Sequence, residues 1–457
     1  MTGKFITKIC TAALSILMLA CAGLCGCTGG AKAPSGGTQD PPAGGGNSGD
    51  GSTEEIKETE ILSFDNTNNP LSSRIGVTDW GCLYMSDLDE GESSLLKGAE
   101  YVLETGSRVI KVACGNLQAQ YPLDDWSGET FEHSADIFAH ETYRKLFSMG
   151  FETYFISVPE RKSIKYIDGV SAEEQAYVED EFYRMTKYLL ETYQGSGKTF
   201  ILQNWETDNA VSYYMTGSEA DDVFVLRSYA DYFNARQNGI NRARDEFVMS
   251  EQKNVYVFGA IEINKLDESY SFLRAVDNIV PYTYCDLYLY SSYEYKDRGK
   301  VSSAQDVCDQ LSEAMLYYKS KLPSRSYYPQ KMYFGENRLA ISEFGYPDKA
   351  DGYSGEWQKM VVEGHLMAMQ ELNLQYAVYW QICCNEATGS NAAAIKEMNP
   401  EQLRDYVMQP GDVNGFYLIR PDGVKTYTFN YLKKVMESDT LEVEANKPES
   451  WQCSALC

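Results

Sequence analysis

The chain has 457 residues, of which 43% are hydrophobic, 13% aromatic and 23% charged, and this composition predicts a globular protein with a large core. Its formal net charge of -26 argues against nucleic acids and anionic polymers as partners, because a field of that sign repels them. A soluble, acidic surface is explanation enough for the charge itself.

The first 26 residues have the pattern of an export signal. Lys4 and Lys8 precede an apolar run over residues 9–22, which is too short to span a bilayer and is typical of a secretory signal. Residues 24–27 (LCGC) then resemble a bacterial lipobox. This resemblance implies that Cys27 carries a lipid, becomes the mature N-terminus and anchors the protein to the bacterial cell surface. Residues 19–21 (LAC) are a second candidate, and a simple cleaved signal is the alternative.

The remaining chain divides by composition into three parts. Residues 28–52 hold nine glycines and three prolines without an aromatic residue, so we predict a flexible tether over residues 27–60. A folded domain is expected over residues 61–440, followed by a C-terminal tail over 441–457. The only membrane contact expected is the lipid anchor.

Cysteine and histidine patterns predict neither a metal nor a cofactor. Twelve cysteines are present, and disulfides are permitted in an exported domain. Cys453 and Cys457 could close a C-terminal loop. Four others lie near predicted strand ends and could be neighbours: Cys82, Cys114, Cys383 and Cys384. No CxxC pair occurs, and the three histidines lack the spacing of metal ligands.

Short β-branched or aromatic runs alternate with longer amphipathic stretches, which is the signature of repeated βα units. We predict eight strands over residues 74–79, 108–115, 151–159, 199–204, 255–263, 286–291, 339–343 and 376–382. The predicted helices cover residues 93–106, a stretch ending near 150, 172–193, 223–247, 270–279, 304–322, 356–372 and 427–436. Eight such units predict an α/β fold, a single (β/α)8 TIM barrel. An open doubly wound sheet is the alternative, but no Gly-rich phosphate turn follows an early strand.

In a barrel the functional residues lie at the carboxyl ends of the strands. Carboxylates, amides and tryptophans dominate there. Hydrolysis of a glycosidic bond with retention needs a protonated acid and a carboxylate nucleophile about 5 to 5.5 Å apart. Glu206, after strand four, and Glu343, at the end of strand seven, would face each other across the barrel mouth and meet this requirement.

From these residues the chain resembles the clan A retaining glycoside hydrolases over most of residues 74–437. Residues 341–345 (ISEFG) look like the strand-seven signature of that superfamily, which implies that Glu343 is the nucleophile and Glu206 the acid/base. Tyr379 and Trp380 match the aromatic end of strand eight. The closing residues 415–425, with Gly-Phe-Tyr, Pro-Asp-Gly and Lys425, resemble the turn into the last helix.

Two positions depart from the superfamily pattern. Trp205 separates Asn204 from Glu206, where the pattern places Asn directly before the acid/base. Residues two apart in an extended strand share a face, so Asn204 could still reach the sugar 2-hydroxyl. Strand two offers Lys111 in place of an Arg that supports the nucleophile, and Lys cannot make the same planar double contact.

Other candidate substrate-binding residues lie around the same mouth. Trp80, Trp126, Trp205 and Trp380 could stack on the apolar faces of sugar rings, although Trp80 and Trp126 could instead cap the core. Tyr293 or Tyr290 is a candidate hydrogen-bond donor to Glu343. Glu262 is a further candidate, and with Glu294 and Glu386 it is expected to be a supporting or solvated group. Glu160 and Asp208 are expected to be ordinary loop charges.

Two hypotheses about function follow. The first is a surface-tethered retaining glycoside hydrolase that acts on a neutral oligo- or polysaccharide. The second is a glycan-binding surface lipoprotein that keeps the barrel and the aromatic rim without turnover, since a fold alone does not carry function.

Overall fold

The computed structural model describes residues 61–65, 69–249, 254–270, 272–294, 301–324, 334, 337–348 and 354–444. The predicted signal peptide and tether, the predicted lipid anchor Cys27 and the pair Cys453 and Cys457 lie outside these residues. Within them, no helix combines the length and the apolar character needed to cross a membrane.

Eight parallel strands form a closed barrel, which confirms the predicted fold class. The strands of the described residues are β1 (Ile61–Asp65), β2 (Ile75–Asp79), β3 (Val109–Ala113), β4 (Thr153–Ser157), β5 (Thr199–Gln203), β6 (Tyr256–Ile263), β7 (Leu287–Ser292), β8 (Leu339–Phe344), β9 (Ala377–Tyr379) and β10 (Thr440–Glu444). Strands β2 to β9 pair in chain order, and β2 pairs with β9 to close the ring. Each of the eight predicted strands therefore corresponds to one barrel strand.

Helices lie between the barrel strands and after the last of them. Their bounds are α1 (Ser94–Glu104), α2 (Leu117–Gln120), α3 (Ser134–Ala139), α4 (Glu141–Ser148), α5 (Ala172–Thr192), α6 (Thr207–Ser212), α7 (Glu219–Met249), α8 (Ala275–Asn278), α9 (Ala304–Lys321), α10 (Ser354–Glu371), α11 (Ala392–Lys396), α12 (Pro400–Asp405) and α13 (Tyr427–Ser438). The helix predicted over residues 270–279 is shorter than expected, because only α8 and a 3-10 turn over Val280–Tyr282 form there.

The ends of the long helices follow from local sequence. Ser171 begins α5 with a capping box, in which its side chain and that of Glu174 each accept a backbone N–H of the other residue. Asp439 ends α13 in the left-handed conformation at φ 53°, and its carboxylate accepts the backbone N–H of Leu71 at 2.7 Å. The end of the last helix is thereby fastened to the segment that enters the first barrel strand.

The barrel interior is filled by alternate residues of the strands, since successive side chains of a strand point to opposite faces. Its apolar part consists of Val109, Phe155, Ile201, Phe258, Ala260, Leu287, Leu289, Ala340 and Val378. A second and larger apolar cluster lies on the outer face of the strands against the helices. The two clusters hold the strand ends rigidly, as a binding or catalytic site on a barrel requires.

A separate two-stranded sheet joins the two ends of the described domain. Strands β1 and β10 pair antiparallel, with Ile61 opposite Glu444 and Asp65 opposite Thr440. Residues 441–444, which the sequence analysis assigns to the C-terminal tail, therefore lie in a strand. The sequence gives little sign of this pairing because the two segments are far apart along the chain.

The six cysteines in the described residues are buried and are not in disulfides: Cys82, Cys114, Cys285, Cys308, Cys383 and Cys384. The four expected near strand ends are thus unpaired by disulfides, although the Cys82 thiol is hydrogen-bonded to Cys383.

Candidate active site

A polar layer replaces the apolar interior at the carboxyl end of the barrel. Side chains two residues apart on a strand point to the same face. On five strands, the residue two positions after an apolar interior residue is polar. These five residues, which we call the mouth layer, are Lys111, Gln203, Glu262, Ser291 and Ser342. All five are fully buried, so each must find a partner inside the protein.

Lys111 lies between two carboxylates. Its Nζ is 2.8 Å from Glu262 Oε2 and 2.6 Å from Glu343 Oε1, and it also donates to the carbonyl oxygen of Ser342 at 3.3 Å. Burial alone would lower the pKa of Lys111, but the charges of Glu262 and Glu343 outweigh burial and raise the pKa. Lys111 therefore stays a cation and does not contact solvent.

Glu262 connects three strands of the barrel. Its Oε2 accepts from Lys111, from Gln203 Nε2 at 2.9 Å and from Ser342 Oγ at 2.5 Å. Its Oε1 accepts the backbone N–H of Glu206 at 3.0 Å. Glu262 is 0% exposed and both of its oxygens accept hydrogen bonds from the protein, so the substrate-binding role predicted for it stays a prediction.

Glu206 lies where the chain leaves β5 and turns into α6, with φ 27° and ψ 78°. A residue with a side chain rarely adopts this conformation, which costs about 1–3 kcal/mol. The bond from its N–H to Glu262 holds the turn in place. Its Oε2 accepts from the side-chain amides of Asn209 and, at 3.3 Å, Asn264. The carboxyl group is thus aimed into the barrel mouth.

Ser291 joins the two predicted catalytic carboxyl groups. Its Oγ is 2.7 Å from Glu206 Oε1 and 3.2 Å from Glu343 Oε2. These two carboxylate oxygens therefore lie no more than 5.9 Å apart, the combined length of the two contacts. Glu343 Oε2 is also 3.4 Å from the hydroxyl of Tyr293, whereas Tyr290 donates to Glu294 instead.

Three carboxyl groups share this site with the single ammonium of Lys111. Burial raises the pKa of Glu343; Lys111 opposes the rise, and the charges of Glu262 and Glu206 add to it. Burial also raises the pKa of Glu206, and the charge of Glu262 adds to the rise. Carboxyl groups joined through one hydroxyl lose their protons as a pair. We therefore expect the pair to keep one proton at neutral pH.

Aromatic side chains form one wall of the mouth. The rings of Trp80 and Trp380 meet edge to face with centroids 5.6 Å apart, and each residue is 8% exposed. Tyr293 meets Phe416 in the same manner at 5.8 Å. Trp205 is half-buried and packs against the outer apolar cluster, which contains Trp80, Trp126 and Trp380. The sites expected for sugar stacking are thus partly core packing.

Asn204 does not have the position that the sequence suggests. Its Oδ1 accepts the backbone N–H of Glu262 at 2.8 Å, and its Nδ2 donates to the carbonyl oxygen of Glu262 at 3.1 Å and to Thr207 Oγ1 at 2.9 Å. The side-chain amide thus continues the β5 and β6 pairing beyond the point where the β5 backbone turns away. A contact with a sugar hydroxyl would have to compete with these bonds.

Two acids expected to be ordinary loop charges instead have hydrogen-bond partners in the protein, Asp208 buried and Glu160 half-buried. Asp208 is 1% exposed and accepts the backbone N–H groups of Ala275, Asn264 and Lys265 at 2.7, 3.0 and 3.2 Å. Burial raises the pKa of Asp208 to about 6, and these bonds oppose the rise. Glu160 accepts from the hydroxyl of Tyr166, and burial raises the pKa of Glu160 to about 7.

The two remaining acids of the mouth also have partners. Glu294 accepts the backbone N–H groups of Leu266 and Asp267 at 3.0 and 3.3 Å, and Glu386 accepts from Asn414 Nδ2 at 2.5 Å. These bonds are consistent with a supporting role, which stays a prediction. In the described part of the chain, no group of three or more His, Cys, Asp or Glu side chains is arranged to hold a metal ion.

Comparison with known proteins adds only distant structural similarities. No protein-family model matches the chain, and no curated protein matches it. Similar solved structures include a β-glucuronidase from Ruminococcus gnavus in complex with C6-substituted uronic isofagomine, at 13% identity, 80% of this chain, 50% of that chain and TM-score 0.45. Others are a Bifidobacterium dentium β-glucuronidase complexed with coumarin-3-O-glucuronide, at 10%, 80%, 46% and 0.43, and a Bacteroides uniformis β-glucuronidase, at 11%, 80%, 35% and 0.43.

The chain spans between about a third and half of the length of these proteins. The barrel assignment rests on the strand pairing of the chain itself, and similarities this distant say nothing about its substrate.

Proposed function

We propose that the chain is a retaining glycoside hydrolase, with Glu206 as acid/base and Glu343 as nucleophile. The observation that carries the proposal is the contact of both carboxyl groups with the hydroxyl of Ser291. Carboxyl groups of retaining enzymes are about 5 to 5.5 Å apart, whereas inverting enzymes separate them by about 6.5 to 9.5 Å to admit a water molecule. An upper limit of 5.9 Å between the facing oxygens favours direct attack.

The surroundings of the two groups suit these different roles. Lys111 contacts only Glu343 of the pair, and a cation at this distance favours an ionised nucleophile. Glu206 receives neutral amide donors instead. In the first step a Glu343 oxygen attacks the anomeric carbon, while Glu206 gives its proton to the departing oxygen. In the second step Glu206 takes a proton from water, whose oxygen displaces Glu343 from the same carbon.

For the substrate we propose a neutral oligo- or polysaccharide. The edge-to-face pair of Trp80 and Trp380 supplies an apolar wall on which the C–H face of a sugar ring could pack. The net charge of -26 disfavours a polyanionic chain. Asn204 is bonded to the backbone of Glu262, and the side-chain amides that contact Glu206 are those of Asn209 and Asn264.

A second candidate is a glycan-binding protein without turnover. It is favoured by the near closure of the site, since Glu206 is 8% exposed, Glu343 2% and Ser291 0%. Under this alternative the mouth would bind a sugar at the aromatic wall, and the carboxyl groups would not reach the anomeric carbon.

The stereochemistry of the product separates these possibilities. We expect aryl glycosides of neutral sugars to be hydrolysed with the anomeric configuration retained in the first product seen by NMR. Glu206→Ala should lower kcat about a hundredfold or more for poor leaving groups, and azide should restore turnover of substrates with good leaving groups. Glu219→Ala, at the exposed start of α7, is the control and should be unaffected. Inversion, or full activity of Glu206→Ala, would contradict the proposal; saturable glycan binding with no hydrolysis would favour the second candidate.

We further propose that the protein is held at the bacterial cell surface by a lipid on Cys27. The support is the export signal followed by a lipobox-like sequence and a glycine-rich tether. Growth with a labelled fatty acid should label the wild-type chain, and Cys27→Ser should abolish the label and release the protein from the membrane fraction. An unlabelled wild-type chain would contradict this proposal.

A further inference from the structure

We propose that Ser291 is a positioning residue whose hydroxyl holds the proton shared by the two carboxyl groups on Glu206 and keeps Glu343 ionised. This inference rests on the proposed retaining mechanism and adds the means by which the two roles are set before substrate binds.

The hydroxyl of Ser291 has a limited hydrogen-bonding capacity. A hydroxyl has one proton to donate and two lone pairs with which to accept. Ser291 Oγ contacts carboxyl oxygens on both sides, so it can donate to one of them only. The other contact is a full hydrogen bond if that carboxyl group is protonated and donates to Ser291.

The surroundings of the two carboxyl groups indicate which of them carries the proton. Glu343 Oε1 lies 2.6 Å from the ammonium of Lys111, and Lys111 is itself held by Glu262 at 2.8 Å. A buried cation at that distance favours the anion on Glu343. The amide donors to Glu206 both contact its Oε2, which leaves Oε1, the oxygen facing Ser291, to carry the proton. The bonds then run from Glu206 Oε1–H to Ser291 Oγ, and from Oγ–H to Glu343 Oε2.

An irregularity in the pairing of β7 with β8 places the hydroxyl of Ser291. Strands β7 and β8 pair Tyr288 with Leu339 and Tyr290 with Ile341, a register that would bring Ser291 opposite Ser342. The register shifts after Tyr290, so that Ser291 pairs with Glu343 instead. Irregularities of this kind re-aim a side chain. Here the shift brings the hydroxyl beside the predicted nucleophile.

The hydroxyl can serve both halves of the reaction. Before attack it donates to ionised Glu343. Once Glu343 is esterified and Glu206 has given up its proton, rotation about the Cβ–Oγ bond lets Ser291 donate to Glu206. The hydroxyl proton of Ser291 is thus donated to whichever carboxyl group is negatively charged, and serine forms no bond to carbon.

The test is the width of the pH profile of kcat/KM, whose two limbs report ionisation of the nucleophile and of the acid in the free enzyme. Without the hydroxyl, the Glu343 anion loses a donor and the Glu206 proton loses its acceptor. In Ser291→Ala we therefore expect the acidic limb to rise and the basic limb to fall, narrowing the profile by roughly one pH unit in total. Ser291→Cys, of similar shape and a weaker hydrogen-bonding group, should narrow it less.

The matched control is Ser292→Ala. Ser292 is the next residue of β7, is equally buried, and contacts His365 Nε2 at 2.9 Å on the other face of the strand. Its loss should lower stability and leave the width of the profile unchanged. Equal widths in the wild type, in folded Ser291→Ala and in Ser291→Cys would overturn the inference while leaving the retaining mechanism in place.

A measurement without substrate keeps the two proposals separate. In protein labelled with 13C at the glutamate carboxyl carbons, NMR titration reads both ionisation steps of the pair directly. The steps should lie closer together in Ser291→Ala than in the wild type or in Ser292→Ala. Unchanged spacing overturns the role of Ser291, whereas changed spacing in a protein without hydrolytic activity supports it and counts against the proposed function alone.

Discussion

Strand β7 has a buried ionic cluster at each end, and the two clusters differ in charge balance. Just before the strand, Asp286 accepts from Arg244 at 2.8 Å, from Gln237 at 2.9 Å and from the backbone N–H of Gly259 at 3.0 Å. One carboxylate there meets one guanidinium. At the other end, Ser291 lies in a cluster of three carboxyl groups and one ammonium.

The two clusters indicate different roles for the two ends of the barrel. A paired, fully hydrogen-bonded ion pair fixes structure, and the N-terminal face of a barrel serves stability. Excess buried negative charge must instead be relieved by binding protons. The strained conformation of Glu206 lies at this same end, in keeping with the tendency of strain to collect at functional sites. Three substitutions test the contrast, in order of decreasing expected effect.

Arg244→Ala should have the largest effect on stability. It leaves Asp286 buried without its cation, and breaking a buried pair in this way costs about 3–5 kcal/mol of unfolding free energy. Arg242→Ala is the control, because Arg242 lies on the same helix α7 but pairs with Glu179 at the surface, where such pairs contribute about 1 kcal/mol or less. Urea unfolding measures both. Equal losses in the two variants would mean that the balanced cluster has no special structural role.

Asn204→Ala should have an intermediate effect, about 2 kcal/mol. It leaves the buried N–H of Glu262 without its acceptor, a loss that costs roughly 1–3 kcal/mol, and it loosens the strand that carries the site. Asn430→Ala is the comparison, since Asn430 is exposed and donates only to the Thr426 carbonyl at 3.0 Å. If Asn204→Ala instead kept full stability and raised KM alone, Asn204 would be a sugar ligand, as the sequence suggests.

The pH dependence of stability should show the smallest effect when the change is measured over one pH unit. Burial raises the pKa of both Glu343 and Glu206 above 4.5, so above pH 4.5 the folded pair still holds a proton that the unfolded chain has lost. Stability from the pair is complete below pH 4.5 and falls as the pH rises, on the order of 1 kcal/mol for each pH unit. Glu343→Gln should flatten this slope. If stability changed with pH equally in the variant and in the wild type, burial would not raise the pKa of the pair as described.

Much of this organisation can be predicted from the sequence because it depends on local periodicity. The eight strands follow from short apolar runs, and Glu343 from its place at the end of one such run. Lys111 follows from the alternation of β3, two residues beyond Val109 on the same face. The same alternation, carried along β7 from Leu289, indicates Ser291, which the sequence analysis did not select.

The features that the sequence analysis missed depend on contacts between residues far apart along the chain. Ser291 reaches Glu343 only through a register shift between β7 and β8, which no local pattern encodes. Asn204 binds the backbone of Glu262, which is 58 positions away, so a sugar would have to compete with this bond. The pairing of β1 with β10 joins the two ends of the domain and likewise has no local signal.

Covalent trapping is the most direct test of the retaining mechanism. The protein would be incubated with a panel of 2-deoxy-2-fluoro glycosides of neutral sugars that carry good leaving groups, and the labelled peptide would be identified by mass spectrometry. We predict one sugar per chain, attached to Glu343, and no label in Glu343→Gln. A label on any other residue, or turnover with inversion at the anomeric carbon, would contradict the assignment of Glu343 as the nucleophile.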